Sequence, residues 1–126
     1  LIQNYIYSRE VNLTMSLEIE REGVNLIVRV YGDLDLHTVD NLRMEIEDRL
    51  DQEVGIKNMI LNLEDVDFID SSGLGFIIGR YKRISNHGGE LKLINVKNSI
   101  NKVFELSGIL KIVDVFPSER EALKAV

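Results

Sequence analysis

From Leu17 onward, apolar and polar positions alternate in two periods that take turns along the chain. Leu17 and Ile19, then Val24, Leu26, Val28 and Val30, repeat every second residue around Glu22-Gly23, the pattern of a half-buried β-hairpin. Val39, Leu42, Ile46 and Leu50, with Arg49 beside the last, recur at helical spacing, and Thr38 stands where an N-cap is expected. Ile56 to Leu63 reads as a strand. A second helical stripe, Leu74, Ile77, Ile78 and Tyr81, runs to Ile84 and stops at Asn86-His87-Gly88-Gly89. Leu91 to Ile94 is a strand, Ile100, Val103 and Phe104 mark a short helix ending near Gly108, and Ile112 to Phe116 is the last strand. After Pro117, Ser118 and Glu121 stand at capping-box spacing for a final helix.

The order from residue 15 is therefore ββαβαβαβα. Strands alternating with helices predict an α/β fold with a mostly parallel central sheet. An N-terminal antiparallel hairpin opens it, and about four helices flank it. A length of 126 residues with 44% hydrophobic content suits one domain with one core. Residues 1–14 stand apart. Met15-Ser16-Leu17-Glu18 reads like a natural beginning, and Arg9-Glu10-Val11 can be encoded AGG-GAG-GTG, a purine-rich run resembling a ribosome-binding site. The expectation is a non-native leader or extension over 1–14 and the domain over 15–126, with a genuine N-terminal strand or tail as the alternative. The source DNA decides between them.

In such a sheet, function gathers in loops beyond the carboxyl ends of the strands. Two loops qualify, Gly32-Asp33-Leu34-Asp35-Leu36-His37-Thr38 and Glu64 to Ser72, and they should open on the same end. The second leads into Asp70-Ser71-Ser72-Gly73-Leu74-Gly75, a serine turn at the start of a helix, where free N–H groups and the helix dipole favour an anionic oxygen. A formal charge of −6 and a pI near 4.9 disfavour nucleic acid and anionic membranes as partners. The absence of cysteine excludes disulfides, thiolate zinc sites and thiol nucleophiles. No apolar run approaches the roughly 20 residues of a membrane span, and no signal peptide is visible, so a cytoplasmic domain is expected.

Several chemistries can be weighed against the bland possibility that Ser71 only caps its helix. A hydrolase would need Ser71 with His37 or His87, but the G-x-S-x-G elbow is absent. Asp33, Asp35, Asp65, Asp67 and Asp70 could ligate a hard cation, yet their spacing matches no EF-hand, and acidic loops are commonly solvated surface. Gly73-x-Gly75 is too short for a dinucleotide fingerprint, and no phosphate-binding loop motif is present. An aspartyl-phosphate receiver needs an adjacent acidic pair and a lysine after a late strand, but Leu34 separates Asp33 from Asp35, and Asn95-Val96 stand in the lysine's place. No metal, cofactor or catalytic residue is therefore expected. What remains is a cap, or a serine whose phosphorylation adds about −1.5 to −2 charges and three acceptor oxygens. Such a group is tolerable at a helix start but penalises docking through uncharged Ser71, Gly73, Leu74 and Phe76.

At Asp70-Ser71-Ser72-Gly73-Leu74-Gly75 the chain resembles a STAS domain, the fold of anti-sigma factor antagonists. Asn62-Leu63-Glu64-Asp65, Gly79-Arg80-Tyr81-Lys82, Gly88-Gly89-Glu90, Phe104-Glu105-Leu106-Ser107-Gly108, Gly32-Asp33-Leu34-Asp35 and His37-Thr38 resemble the sporulation-type members, from about Met15 to the C-terminus. The resemblance implies a non-enzymatic switch. The unphosphorylated antagonist binds an anti-sigma factor that is a GHKL-type serine kinase, as an ADP-bound dimer, and releases a sporulation sigma factor. Phosphorylation on Ser71 ends the interaction, and a PP2C-type, Mn²⁺-dependent phosphatase reverses it. The partner surface it implies comprises Asp33, Leu34, Asp35, His37, Thr38, Asp70, Ser71, Ser72, Gly73, Leu74 and Gly75, with Asp33, Leu34 and Asp35 on the rim and Gly73 and Gly75 permitting close backbone approach. Localisation by the same resemblance is the cytoplasm of the predivisional cell and forespore. A STAS scaffold or sensor module that binds another protein or a small ligand is the alternative.

Overall fold

The computed structural model describes residues 11–13 and 16–125, the first three as backbone only. A single six-stranded sheet runs β1 (Val11–Leu13), β2 (Leu17–Glu22), β3 (Asn25–Tyr31), β4 (Asn58–Asp65), β5 (Leu91–Ile94) and β6 (Asp114–Phe116), in that spatial order. The pairs β1–β2 and β2–β3 are antiparallel, and β3–β4, β4–β5 and β5–β6 are parallel. Helices α1 (Val39–Gln52), α2 (Ser71–Ser85) and α3 (Asn98–Ser107) connect the parallel strands, and α4 (Glu119–Lys124) follows β6. From β2 onward the order is the one expected. The expectation that residues 1–14 stand outside the domain falls mostly outside the described residues; Val11–Leu13 pair with Glu18–Glu20 at the sheet edge.

The hairpin is closed by Gly23-Val24, with Gly23 at φ +62 as the first position of a two-residue loop demands. Alternation along the strands sorts the side chains onto two faces. Leu17, Ile19, Leu26, Val28, Val30, Met59, Leu61, Leu63, Leu91 and Leu93 face one side and form one core with the inner faces of α1, α2 and α3. Ile27, Ile60 and Ile94 face the other and meet Ala122 of α4. The strand order never reverses, so crossovers of one hand place the three connecting helices on one face.

Two details differ from the sequence pattern. The last strand is shorter than Ile112–Phe116 because Ile109–Lys111 form a 3-10 turn after Gly108, whose φ of +81 ends α3. The buried stripe of α2 is Gly73, Phe76, Ile77, Arg80 and Ile84, while Leu74, Ile78 and Tyr81 flank it half-buried. Ser118 caps α4 as expected, its hydroxyl accepting from the Glu121 N–H at 3.2 Å.

Candidate functional site, the Ser71 turn

The loops after β3 and β4 are joined by backbone. Leu34 and Ile69 form an isolated parallel bridge, with Leu34 N–H donating to Phe68 O at 3.0 Å and Asp70 N–H to Leu34 O at 3.2 Å. The Asp70 carboxylate then ties both loops to the helix. One oxygen accepts from Gly73 N–H at 3.0 Å and the other from Leu36 N–H at 3.1 Å. These bonds, the one from Gly73 foremost, hold the Asp70 carboxyl below the usual aspartate range. Asp70, in extended conformation, is thus the N-cap of α2. This corrects the assignment of the cap to Ser71. Ser71 is the first helical residue, it is exposed, and its hydroxyl makes no hydrogen bond among the described residues.

Gly73 fits where no other residue does. A Cβ there would lie 2.3 Å from Leu34 O and 2.5 Å from Ile69 Cγ1. At Gly75 a Cβ would meet nothing within 4 Å, so close approach inside the fold explains Gly73 and not Gly75.

The first loop is stiffened by its own polar groups. Asp35 Oδ1 accepts from His37 N–H at 2.9 Å and Thr38 N–H at 3.1 Å, and Thr38 Oγ1 accepts from Asp35 N–H at 3.1 Å while donating to Asp33 O at 2.7 Å. Thr38 is the N-cap residue of α1, as expected, but its side chain locks the preceding turn and makes no capping bond to the helix. Asp33 and His37 are exposed, and no hydrogen bond joins His37 to Ser71 among the described residues. Leu34 is 0% exposed and belongs to the core, so it cannot line a docking rim; the bridge to Ile69 turns its side chain inward. Phe76 is likewise buried, and Gly73 offers backbone only.

The apolar surface near Ser71 comes instead from Leu36 and Phe68, 68% and 53% exposed, one on each loop. Both escaped sequence reasoning, because Leu34, Val66 and Ile69 in the same loops are equally apolar yet buried, and the sequence alone does not sort them. Among the described residues, no three His, Asp or Glu side chains are grouped to hold a metal, and no helix is long and apolar enough to cross a membrane. Of the acidic loop residues, Asp70 uses both carboxylate oxygens and Asp35 one on backbone N–H groups, and Asp67 pairs with Lys97.

The family model described as the STAS domain matches residues 16–122. The chain belongs to the STAS domain family. Among its STAS relatives, the anti-sigma F factor antagonist of Paenibacillus polymyxa is 41% identical over 112 residues, covering 86% of this chain and 94% of the relative. The solved structure of the anti-sigma factor antagonist SpoIIAA in its unphosphorylated form superposes with a TM-score of 0.73 at 29% identity, covering 86% of this chain and 93% of that one. The phosphorylated form of the Bacillus cell fate determinant SpoIIAA gives 0.67 at 29% identity, covering 86% and 97%.

Proposed function

We propose that this STAS domain is an anti-sigma factor antagonist controlled by phosphorylation of Ser71. In the unmodified state it binds an anti-sigma factor that is also a GHKL-type serine kinase, in its ADP-bound dimeric form, and frees a sporulation sigma factor. With ATP the kinase modifies Ser71 and the pair separates; a PP2C-type phosphatase restores the active form. The cycle runs in the cytoplasm of the predivisional cell and forespore. The chain is the substrate in this scheme and performs no catalysis.

The observation that carries the proposal is the Ser71 hydroxyl, exposed and unbonded at the first position of α2, directly after the capping Asp70. It can enter a kinase site without breaking any bond of the fold. A phosphate there sits at a helix N-terminus, which tolerates the charge. The same charge beside Leu36 and Phe68 opposes burial of that apolar patch under a partner. Support also comes from SpoIIAA, a protein of the same fold described in both unphosphorylated and phosphorylated forms.

Incubation with the GHKL-type anti-sigma factor of the same organism and ATP, followed by peptide mass spectrometry, tests the proposal. One phosphate on Ser71, lost in Ser71→Ala and kept in Ser72→Ala, is expected. A phosphate that disappears with Ser72→Ala instead refutes the site assignment.

A further inference from the structure

Between α1 and α2, beside the Ser71 turn, lies a cleft of about 260 Å³, lined by Ser72, Gly75, Gly79 and Arg80 on α2 and by Asp40 and Arg43 on α1. Part of its α2 wall is bare backbone, because Gly75 and Gly79 have open space where a Cβ would project. Arg80 is the unusual member. It lies on the buried stripe of α2 at 6% exposure, over the Phe76 ring. Its Nε stands 3.4 Å from Glu47 Oε2, and neither Nε nor Nη1 has a hydrogen-bond partner among the described residues. Glu47 is already engaged by Arg83 through its other oxygen. Burial pushes the Arg80 guanidinium below its ordinary value; its Nε and Nη1 are closed off from solvent, which leaves Nη2 as the donor on the cleft side.

We propose that this cleft receives the carboxylate of an aspartate or glutamate from the protein that docks on the Ser71 face, with Arg80 and Arg43 as its anchors. Arg80 Nη2 and the Arg43 guanidinium offer the paired donors that a planar carboxylate accepts, and the Ser72 hydroxyl adds a third group. Arg43, half exposed and 3.7 Å from Asp40, can turn from that weak pair to the incoming group. Asp40 in the lining and Glu47 behind Arg80 weigh against a phosphate dianion, which both would repel more strongly than a monoanion. Ser72 and Gly75 make the cleft continuous with the Ser71 turn, so one partner can cover both.

The proposal rests on the reading that a protein docks at Ser71, and the test keeps the two apart. Calorimetry with the cognate anti-sigma factor should show affinity weakened at least about tenfold in Arg80→Gln and in Arg43→Gln. The second substitution is at a half-exposed site and leaves the core untouched. In Arg43→Lys, a carbodiimide should link the introduced amine to an Asp or Glu of the partner. Separately, the Arg80 Nε–Hε resonance of the free protein is followed during titration with acetate and with inorganic phosphate, at constant ionic strength. If the wild-type chain does not bind the anti-sigma factor, the functional reading fails, and the acetate titration alone decides: a saturable shift supports the carboxylate site and no shift overturns it. If wild type binds, unchanged affinity in both Arg→Gln variants overturns the proposal whatever acetate does. Tighter binding of phosphate than acetate overturns the choice of a carboxylate.

Discussion

On one face of the sheet, ten apolar strand residues pack under α1, α2 and α3; on the other, Ile27, Ile60 and Ile94 meet one six-residue helix beside Phe116 and Leu123, and the polar contacts centre on charged groups. There Arg29 binds Glu119 through two bonds of 2.7 and 2.8 Å and also engages Glu18 and Glu20, while Asn62 Nδ2 donates to Glu119 at 2.9 Å. Lys92 Nζ donates to the carbonyls of Ala122 and Ala125 at the end of α4. The contrast teaches where rigidity resides. Leu34, Ile69, Phe76, Ile77 and Ile84 belong to the large apolar cluster, so the base of the Ser71 turn is fixed by packing that pH does not touch, and the Asp70 carboxylate adds one titratable tie. The α4 side combines a small apolar cluster with charged contacts, so acid should loosen it before the other face.

The largest effect should come from the three-helix face. Phe104 is 0% exposed, and Phe104→Ala should cost about 3–5 kcal/mol in denaturant unfolding. Next comes the seam under the serine turn. Gly73→Ala should cost about 1–3 kcal/mol, because its Cβ meets the Leu34 carbonyl, which is backbone and cannot rotate away. Gly75→Ala, two residues on in open space, should instead stabilise the helix by up to about 1 kcal/mol. Equal costs at the two glycines would remove the distinction between a packed seam and an open surface.

The same seam shows what a sequence can and cannot announce. Period-two strands and period-three-to-four helices were legible because alternation is local, and the two loops could be placed on one sheet end from strand direction alone. Leu34 was not legible as core, since its burial depends on a bridge to Ile69 across 35 positions of chain and its neighbours are acidic. The α2 stripe was read from its apolar letters, which skip Gly73 and Arg80, two residues that occupy buried positions for reasons of space and of charge. Asp70 and Ser71 are both good capping types, and only the extended backbone at Asp70 decides between them.

The ionic face gives a smaller and pH-dependent effect. The hydrogen bond from Arg29 holds the Glu119 carboxyl below the ordinary 4.5, with Asn62 adding to it. A carboxyl lowered on folding contributes stability that is complete above its unfolded value and is lost as pH falls through its folded one. On acidification below about 4.5, amide signals of α4 should therefore move before those of α1 and α2. Arg29→Met should cost about 1–2 kcal/mol at neutral pH and erase that separate α4 transition in an NMR titration. A single transition shared by α1, α2, α3 and α4 in the wild type would mean that the two faces do not come apart.

The smallest stability effect belongs to the residue with the largest proposed functional one. Among the described residues Ser71 contributes no side-chain hydrogen bond, while its predecessor carries the bonds that cap α2 and hold the first loop. Ser71→Ala should therefore leave the unfolding free energy within about 0.5 kcal/mol of wild type, whereas Asp70→Ala should lower it by about 1–2 kcal/mol. Paired denaturant curves measure both. Ser71→Glu sharpens the contrast further, because a carboxylate at the first helical position gains slightly from the dipole, by about 0.3–1 kcal/mol, while it should weaken partner binding by calorimetry. A stable fold with impaired docking is the behaviour of a switch built on a surface that packing already holds in place; a Ser71→Ala variant as unstable as Asp70→Ala would make Ser71 part of the cap after all.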